Sequence, residues 1–378
     1  MLIDPKLQRL TSIVKTNCLV ELMWDEAIAR ARQLDALPEA KGALFGLPIS
    51  TKEHHGMVGP HVTSSASLVG WIGKEHGSNL LYDTLWDEGC VFYARTTQPQ
   101  SIMHLETNSN VYGRTVNPYN RNLTSGGSSG GESALLGMRG SIVVSTPPIV
   151  YAELSLCSAG NWWRYWGQCQ MSIRACRTLR IQVLCFGHHA LSTWLTRSRP
   201  TNKRISATGQ RSHMIGKEAI VSTPGPMTVD RESMELIMRV ALAALPWRVD
   251  PSLTVKDWTP YKFTEPLKIA VQWWDGIVQP HPPMTRALKE VAEACRKAGM
   301  EIVDWDSVSL DHRKGWEILS SLYWPDGGEE VMGVIEQSGE PVLPLTKFII
   351  EEQPSVKNMT QHELWQVWQS TNLQRSTN

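Results

Sequence analysis

The sequence lacks net charge at neutral pH, because 37 Lys and Arg residues balance 37 Asp and Glu residues. Without an excess of either sign, the chain has no general attraction for nucleic acid, anionic lipid or acidic substrates. No apolar run reaches the about 18 residues that mark a membrane-spanning helix, and Met1 to Lys15 lacks the apolar core of a secretory signal. These absences predict a cytoplasmic protein without nucleic-acid or membrane partners.

Close-spaced cysteine pairs are absent too. The seven cysteines are an odd number, which argues against a disulfide scaffold in a chain of this length. One stretch is nevertheless rich in potential metal ligands: Cys157, Cys169, Cys176, Cys185, His188 and His189. Their gaps do not give the short knuckles of structural zinc sites. A zinc module is therefore a weak reading of this stretch, and a tryptophan-rich insertion that binds a partner is another.

What is present is an ordinary globular composition, with 42% hydrophobic and 20% charged residues. Apolar periodicity predicts alternating helices and strands, which indicates an α/β fold. The predicted helices are Asp25–Leu37, Thr84–Cys90, Ser133–Met138, Val229–Leu245, Thr285–Ala298 and His362–Leu373. The predicted strands are Phe45–Thr51, Val91–Thr97, Lys268–Val271 and Glu301–Trp305.

One candidate for chemistry is Lys52, which directly follows the predicted strand in the sequence Gly-Leu-Pro-Ile-Ser-Thr-Lys. A lysine at a strand end usually keeps its ammonium group in water. A functional role would require burial, which lowers the pKa of a lysine and lets the neutral amine accept a proton near pH 7. The lysine alone does not decide between these readings.

The second candidate is Gly-Gly-Ser-Ser-Gly-Gly-Glu at residues 126–132. Glycines on both sides of the serine pair permit turns that other residues cannot adopt and a close approach to a substrate. A flexible linker is an alternative, although this segment lies between a polar turn and an apolar helix. A phosphate-binding loop is disfavoured, because no Lys-Ser/Thr pair follows Gly131.

Together, Gly46–Lys52, Gly113–Pro118 and Gly126–Glu132 resemble the amidase-signature family, and its fungal acetamidase-like branch most closely. The resemblance implies a mixed β-sheet sandwiched between helices in a single domain over residues 1–378. It implies that Lys52 is the catalytic base and Ser128 the relay serine of a serine–serine–lysine triad. It also places Gly126, Gly127 and Ser129 in the substrate-binding turn.

The activity that this resemblance implies is hydrolysis of a linear carboxylic amide to an acid and ammonia or an amine. A small-molecule amide is then the partner, no metal or other cofactor is needed, and a homodimer is the candidate assembly. His54 and His55 beside Lys52 either tune the pocket or are packing histidines, and the second reading is favoured.

The family's nucleophile is missing from the sequence as written. A turn of the type Gly-Gly-Asp-Ile-Gly-Gly-Ser-Val-Arg is expected, but residues 162–170 read Trp-Trp-Arg-Tyr-Trp-Gly-Gln-Cys-Gln. Tryptophan has the single codon TGG, so reading one base later turns Trp162, Trp163 and Trp166 into glycine codons. Permitted codons for the flanking residues restore the whole expected turn. The sequence therefore predicts that the nucleophile is encoded in a shifted reading frame.

The same argument extends to the borders of the interval 144–198. Codons for Val144-Ser145-Thr146 can contain an intron donor, and those for Leu195-Thr196 a branch point. We therefore expect translated introns at about residues 144–159 and 183–198, with a frameshifted exon between them. The resemblance also implies family elements missing at both ends of the chain, and hence poor solubility. An inactive remnant and a partner-binding protein remain the alternatives to an enzyme.

Overall fold

The computed structural model describes residues 15–57, 65–74, 76–141, 143–146, 196–197, 200–260, 267–306 and 311–376. They belong to two units. One unit lies within Met1–Val150, Leu184–Trp258 and Asp326–Pro354, and the other within Tyr151–Val183, Thr259–Pro325 and Ser355–Asn378. The single domain expected over residues 1–378 stays a prediction. Residues 147–195, with the cysteine- and tryptophan-rich stretch, lie outside the described residues.

The main sheet of the first unit has six strands in the order β1-β3-β2-β6-β8-β7. They are β1 (Leu19–Leu22), β2 (Pro48–Lys52), β3 (Val91–Thr96), β6 (Val143–Thr146), β7 (Thr196–Arg197) and β8 (Gly225–Thr228). Strand β2 is parallel to both neighbours, β3 and β6, whereas the outer pairings are antiparallel. The predicted mixed sheet is confirmed, and β2 lies inside it.

The helices of the first unit are α1 (Trp24–Asp35), α2 (Leu80–Asp87), α3 (Gly130–Gly137), α4 (Arg231–Ala243), α7 (Glu329–Ser338) and α8 (Pro344–Ile350). Four of them, α1 to α4, cover the two faces of the main sheet. Ile49 and Phe92 pack with α2 and α4 in one apolar cluster, whereas Tyr93 packs with α1 and α3. Because neighbouring strand residues point to opposite faces, the sheet lies between two helical layers, as predicted.

The second unit contains a parallel strand pair, β9 (Lys268–Val271) and β10 (Glu301–Asp304). Its helices are α5 (Pro282–Lys297), α6 (His312–Tyr323) and α9 (Gln361–Ser376). A short hairpin in the first unit pairs β4 (Asn108–Ser109) with β5 (Gly113–Arg114). No helix in the described part of the chain is long and apolar enough to span a membrane.

Most predicted elements occur close to their predicted bounds, and β9 matches exactly. Helix α2 differs, since it begins at Leu80 instead of Thr84. The reason is a cap, because the Asn79 side chain accepts hydrogen bonds from the backbone N–H groups of Leu81 and Tyr82. The prediction followed the apolar pattern alone and missed this polar start signal.

Strand β6 bears on the predicted insertion. Val144 to Thr146, the first residues of the expected intron, pair with β2 and β8. Strand pairing through the backbone does not show whether these residues are encoded by an exon or by a translated intron. The intron therefore stays a prediction.

Helix α4 provides a stability test of the fold. The Asp230 side chain accepts a 2.7 Å hydrogen bond from the Ser233 backbone N–H at the start of this helix. We expect Asp230→Ala to lower the free energy of unfolding by about 1 kcal/mol, because an N-terminal N–H group loses its partner. Chemical denaturation measures the change. Arg239→Ala, at an exposed position of the same helix, is the control, and an equal loss in both variants would contradict the capping role.

Candidate active site

Lys52 lies at the end of β2 with none of its surface exposed. Its Nζ donates a 2.6 Å hydrogen bond to Ser128 Oγ. The strand delivers the lysine to this position because β2 is flanked on both sides, and every residue from Ile49 to Lys52 is buried. The alternative of a strand-end lysine with its ammonium group in water is therefore excluded. The two residues singled out for chemistry are in direct contact.

Ser128 belongs to a turn that only glycines can build. The peptide bond between Gly127 and Ser128 is cis, and Gly126 has a φ of 84°, a conformation that favours glycine. A Cβ on Gly127 would lie 2.5 Å from the backbone of His104 and Leu105. The turn thus packs against a neighbouring chain segment at a distance that excludes side chains.

Thr107 forms hydrogen bonds to both ends of this turn. Its backbone N–H and its hydroxyl both donate to the carbonyl of Gly126, at 3.1 and 3.0 Å. The same hydroxyl accepts a 2.9 Å hydrogen bond from the N–H of Gly130, on the far side of the serines. Because both ends of the turn are held by one residue, Ser128 has little freedom to move away from Lys52.

The remaining predicted substrate-binding residues occupy the same turn. Ser129 is buried and immediately precedes helix α3. Gly126 and Gly127 form the backbone that leads to Ser128. The structure thus brings all five predicted site residues together, whereas the roles of Gly126, Gly127 and Ser129 in binding a substrate stay predictions.

His54 and His55 are fully buried beside the site, as the packing alternative required. His54 Nδ1 is 2.7 Å from Gln98 Oε1, and the imidazole rings of His54 and His55 are in contact, tilted by 36° with centroids 4.3 Å apart. Burial is the main cause that lowers the pKa of both histidines well below its ordinary value, and the charge of Lys52 acts in the same direction. Both rings are therefore neutral near pH 7 and add no charge next to Lys52.

Glu53 follows Lys52 but takes part in a separate network. Its carboxylate accepts hydrogen bonds from the Ser65 backbone N–H and hydroxyl, the Tyr112 hydroxyl and the Gln98 amide. Arg95 also donates to the Glu53 carbonyl. Since this carboxylate is buried with several donors, it fixes the chain directly after the lysine.

Glu132 closes the glycine–serine segment at residues 126–132, and no role for it is predicted from the sequence. The structure buries it completely on α3 and joins its Oε2 to Ser50 Oγ by a 2.8 Å hydrogen bond. Alternation along β2 could have revealed the partner, because Ser50 lies two residues before Lys52 and on the same face. Thr107 carried no comparable signal, since it lies in a loop distant in sequence.

Known proteins of one family are similar to this chain in sequence. The sequence profile of the family named Amidase matches residues 2–144 and 196–367. An amidase-family protein of Schizosaccharomyces pombe is 35% identical over 360 residues, which cover 94% of this chain and 60% of that protein. The acetamidase of Emericella nidulans is 31% identical, with 95% of this chain and 60% of that protein covered. The chain thus spans about 60% of the length of these relatives.

Solved structures of amide-hydrolysing enzymes are similar to this chain in fold. Fatty acid amide hydrolase superposes with a TM-score of 0.82 at 28% identity, covering 98% of this chain and 60% of that one. A bacterial aryl acylamidase of the amidase-signature family superposes with a TM-score of 0.68 at 16% identity, covering 99% of this chain and 73% of that one. The second likeness is one of fold alone.

The glycine turn leads to a direct prediction. Gly127→Ala places a methyl group 2.5 Å from backbone atoms of a neighbouring segment, which must then shift, so we expect a loss of about 1–3 kcal/mol in the free energy of unfolding. Gly333→Ala is the matched control, because a Cβ there meets nothing within 4 Å and alanine favours the helix. Equal stability of the Gly127→Ala protein and the wild type would contradict the packing described for this turn.

Proposed function

The chain belongs to the amidase family, and from this premise we propose that the product of the undisturbed reading frame hydrolyses a carboxylic amide. The observation that carries the proposal is the buried 2.6 Å hydrogen bond between Lys52 Nζ and Ser128 Oγ. A buried lysine needs a hydrogen-bond partner in any case, and a serine hydroxyl is a partner that can also pass a proton on. A general base that reaches a nucleophile through a hydroxyl group does need this arrangement.

In the proposed mechanism, neutral Lys52 accepts the proton of Ser128 while Ser128 accepts the proton of a second, nucleophilic serine. The nucleophile's oxygen bonds to the amide carbon, and backbone N–H groups stabilise the negative oxygen of the tetrahedral intermediate. Return of the proton through Ser128 lets ammonia or an amine leave. Water then attacks the acyl-serine by the same proton route and releases the acid, which restores the enzyme.

We further propose that the nucleophile is encoded one base out of frame between residues 144 and 198, with translated introns on both sides. Two independent observations support this. The family profile matches up to residue 144 and again from residue 196. Between these limits, Trp162, Trp163 and Trp166 each become glycine in the shifted frame, at the glycine spacing of the expected nucleophile turn.

Acetamide-like and aryl amides are the proposed substrate class, in keeping with the names of the acetamidase relatives. The chain as written keeps the base and the relay but has no serine on a glycine turn after them in the described residues. We therefore propose that this form is inactive. A cytoplasmic location belongs to the same proposal.

The nucleotide sequence tests the reading-frame proposal. We expect genomic DNA across codons 140–202 to contain a donor and an acceptor site around each of the two segments, and mature messenger to lack both segments. A messenger that retains the whole interval would contradict the proposal and would favour a tryptophan-rich insertion for partner binding.

Activity tests the catalytic roles. We expect the chain as written to hydrolyse acetamide and an aryl amide at the background rate, and the frame-corrected chain to hydrolyse at least one of them. In the corrected chain, Lys52→Met and Ser128→Ala should each lower kcat/KM by about 100-fold or more, because proton transfer to the base is lost. Lys297→Met, which changes an exposed lysine, is the control. Hydrolysis by the chain as written that Ser128→Ala abolishes would contradict the proposal.

A further inference from the structure

Glu132 is a fully buried carboxyl group for which the mechanism above has no use. It lies on α3, in the first turn of the helix that follows Ser128 and Ser129. Acidic residues in a first helical turn often interact with the helix dipole at the surface, but this one points into the protein. Its Oε1 has no hydrogen-bond partner among the residues that the structure describes.

The position of Glu132 relates it directly to the base. Ser50 donates to Glu132, and Lys52 donates to Ser128, so strand β2 makes two successive buried bonds to the serine turn and its helix. Both donors lie on one face of the strand, two residues apart. A change at Glu132 is therefore transmitted both through β2 and through the electric field between Glu132 and Lys52.

Electrostatics adds to this geometry. Burial raises the pKa of Glu132 to about 8, against opposing effects of the Ser50 and Thr96 hydroxyls and of the Lys52 charge. The other titratable groups that interact with Glu132 are Cys18, Tyr82 and Tyr93, and burial raises the pKa of each of them. These three groups are therefore neutral near pH 8.

We propose that Glu132 is a positioning residue that sets the charge of Lys52 and thereby determines whether the base is available. With Glu132 protonated, its carboxyl group no longer stabilises the ammonium form of Lys52, and the lysine loses its proton more readily to become the neutral base. With Glu132 ionised, the carboxylate stabilises the ammonium form of Lys52 and removes the base. The relevance to catalysis rests on the proposed function, whereas the coupling itself does not.

The test uses the chain as written and needs no turnover. In protein labelled with ¹⁵N-lysine and ¹³C-glutamate, the chemical shifts of Lys52 Nζ and Glu132 Cδ are followed against pH, with Lys52→Met and Glu132→Gln for assignment. Coupled groups share their titration steps, so we expect each resonance in the wild type to show both midpoints. In Glu132→Gln, the midpoint of Lys52 should fall by about one pH unit or more, because the nearby anion is gone.

Stability provides a second measurement. A carboxyl group whose pKa is raised in the folded state favours folding at low pH and loses this effect as the pH rises through the folded pKa. Relative to Glu132→Gln, the wild type should therefore become less stable between about pH 5 and pH 8. Glu340→Gln is the matched control, since Glu340 is also buried but bonds to Gln100 and Asn110.

Three results would overturn the inference. One is a single titration midpoint for Lys52 in the wild type that does not coincide with any titration step of Glu132. This result would exclude the coupling of the two groups even if the Glu132→Gln variant does not fold. Another is the same Lys52 midpoint in the wild type and in Glu132→Gln. The third is a shift of that midpoint in Glu340→Gln as large as in Glu132→Gln. Inactivity of the frame-corrected chain would instead count against the proposed function alone.

Discussion

The burial of one lysine constrains the rest of this site. An ammonium group removed from water is strongly disfavoured unless a partner compensates for the lost hydration, and Lys52 has none of its surface exposed. Its hydrogen bond to Ser128 fixes where the serine turn must lie. That turn in turn requires glycine at position 127, because backbone atoms of a neighbouring segment lie where a side chain would be. Strand β2 is flanked by β3 and β6, and this interior position helps to keep water from the lysine.

The elements and residues that depend on local sequence patterns could be predicted from the sequence. Apolar periodicity gave β3, β9 and most helices within a few residues, and the glycine–serine segment identified Ser128. The contact between Lys52 and Ser128 could be expected only from the family resemblance, because 76 positions separate the two residues. No periodicity encodes such a pairing.

Polar partners were harder to predict than apolar ones. Asn79 moves the start of α2 by four residues through a cap that the apolar pattern does not contain. Thr107 holds both ends of the serine turn from a loop. Alternation along β2 places Ser50 on the face of Lys52, but the hydrogen bond between Ser50 and Glu132 was not predicted. In each case the hydrogen bond depends on tertiary distance, which a single sequence does not specify.

The proposed position of the nucleophile in another reading frame is tested by tryptic peptide mass spectrometry of the protein from its native cells. If the frame is shifted as proposed, we expect a peptide that ends in Gly-Gly-Asp-Ile-Gly-Gly-Ser-Val-Arg. The tryptic peptide from Ile181 to Arg197 occurs only in the sequence as written. If this peptide is detected and the glycine-rich one is not, the proposed frame shift is wrong.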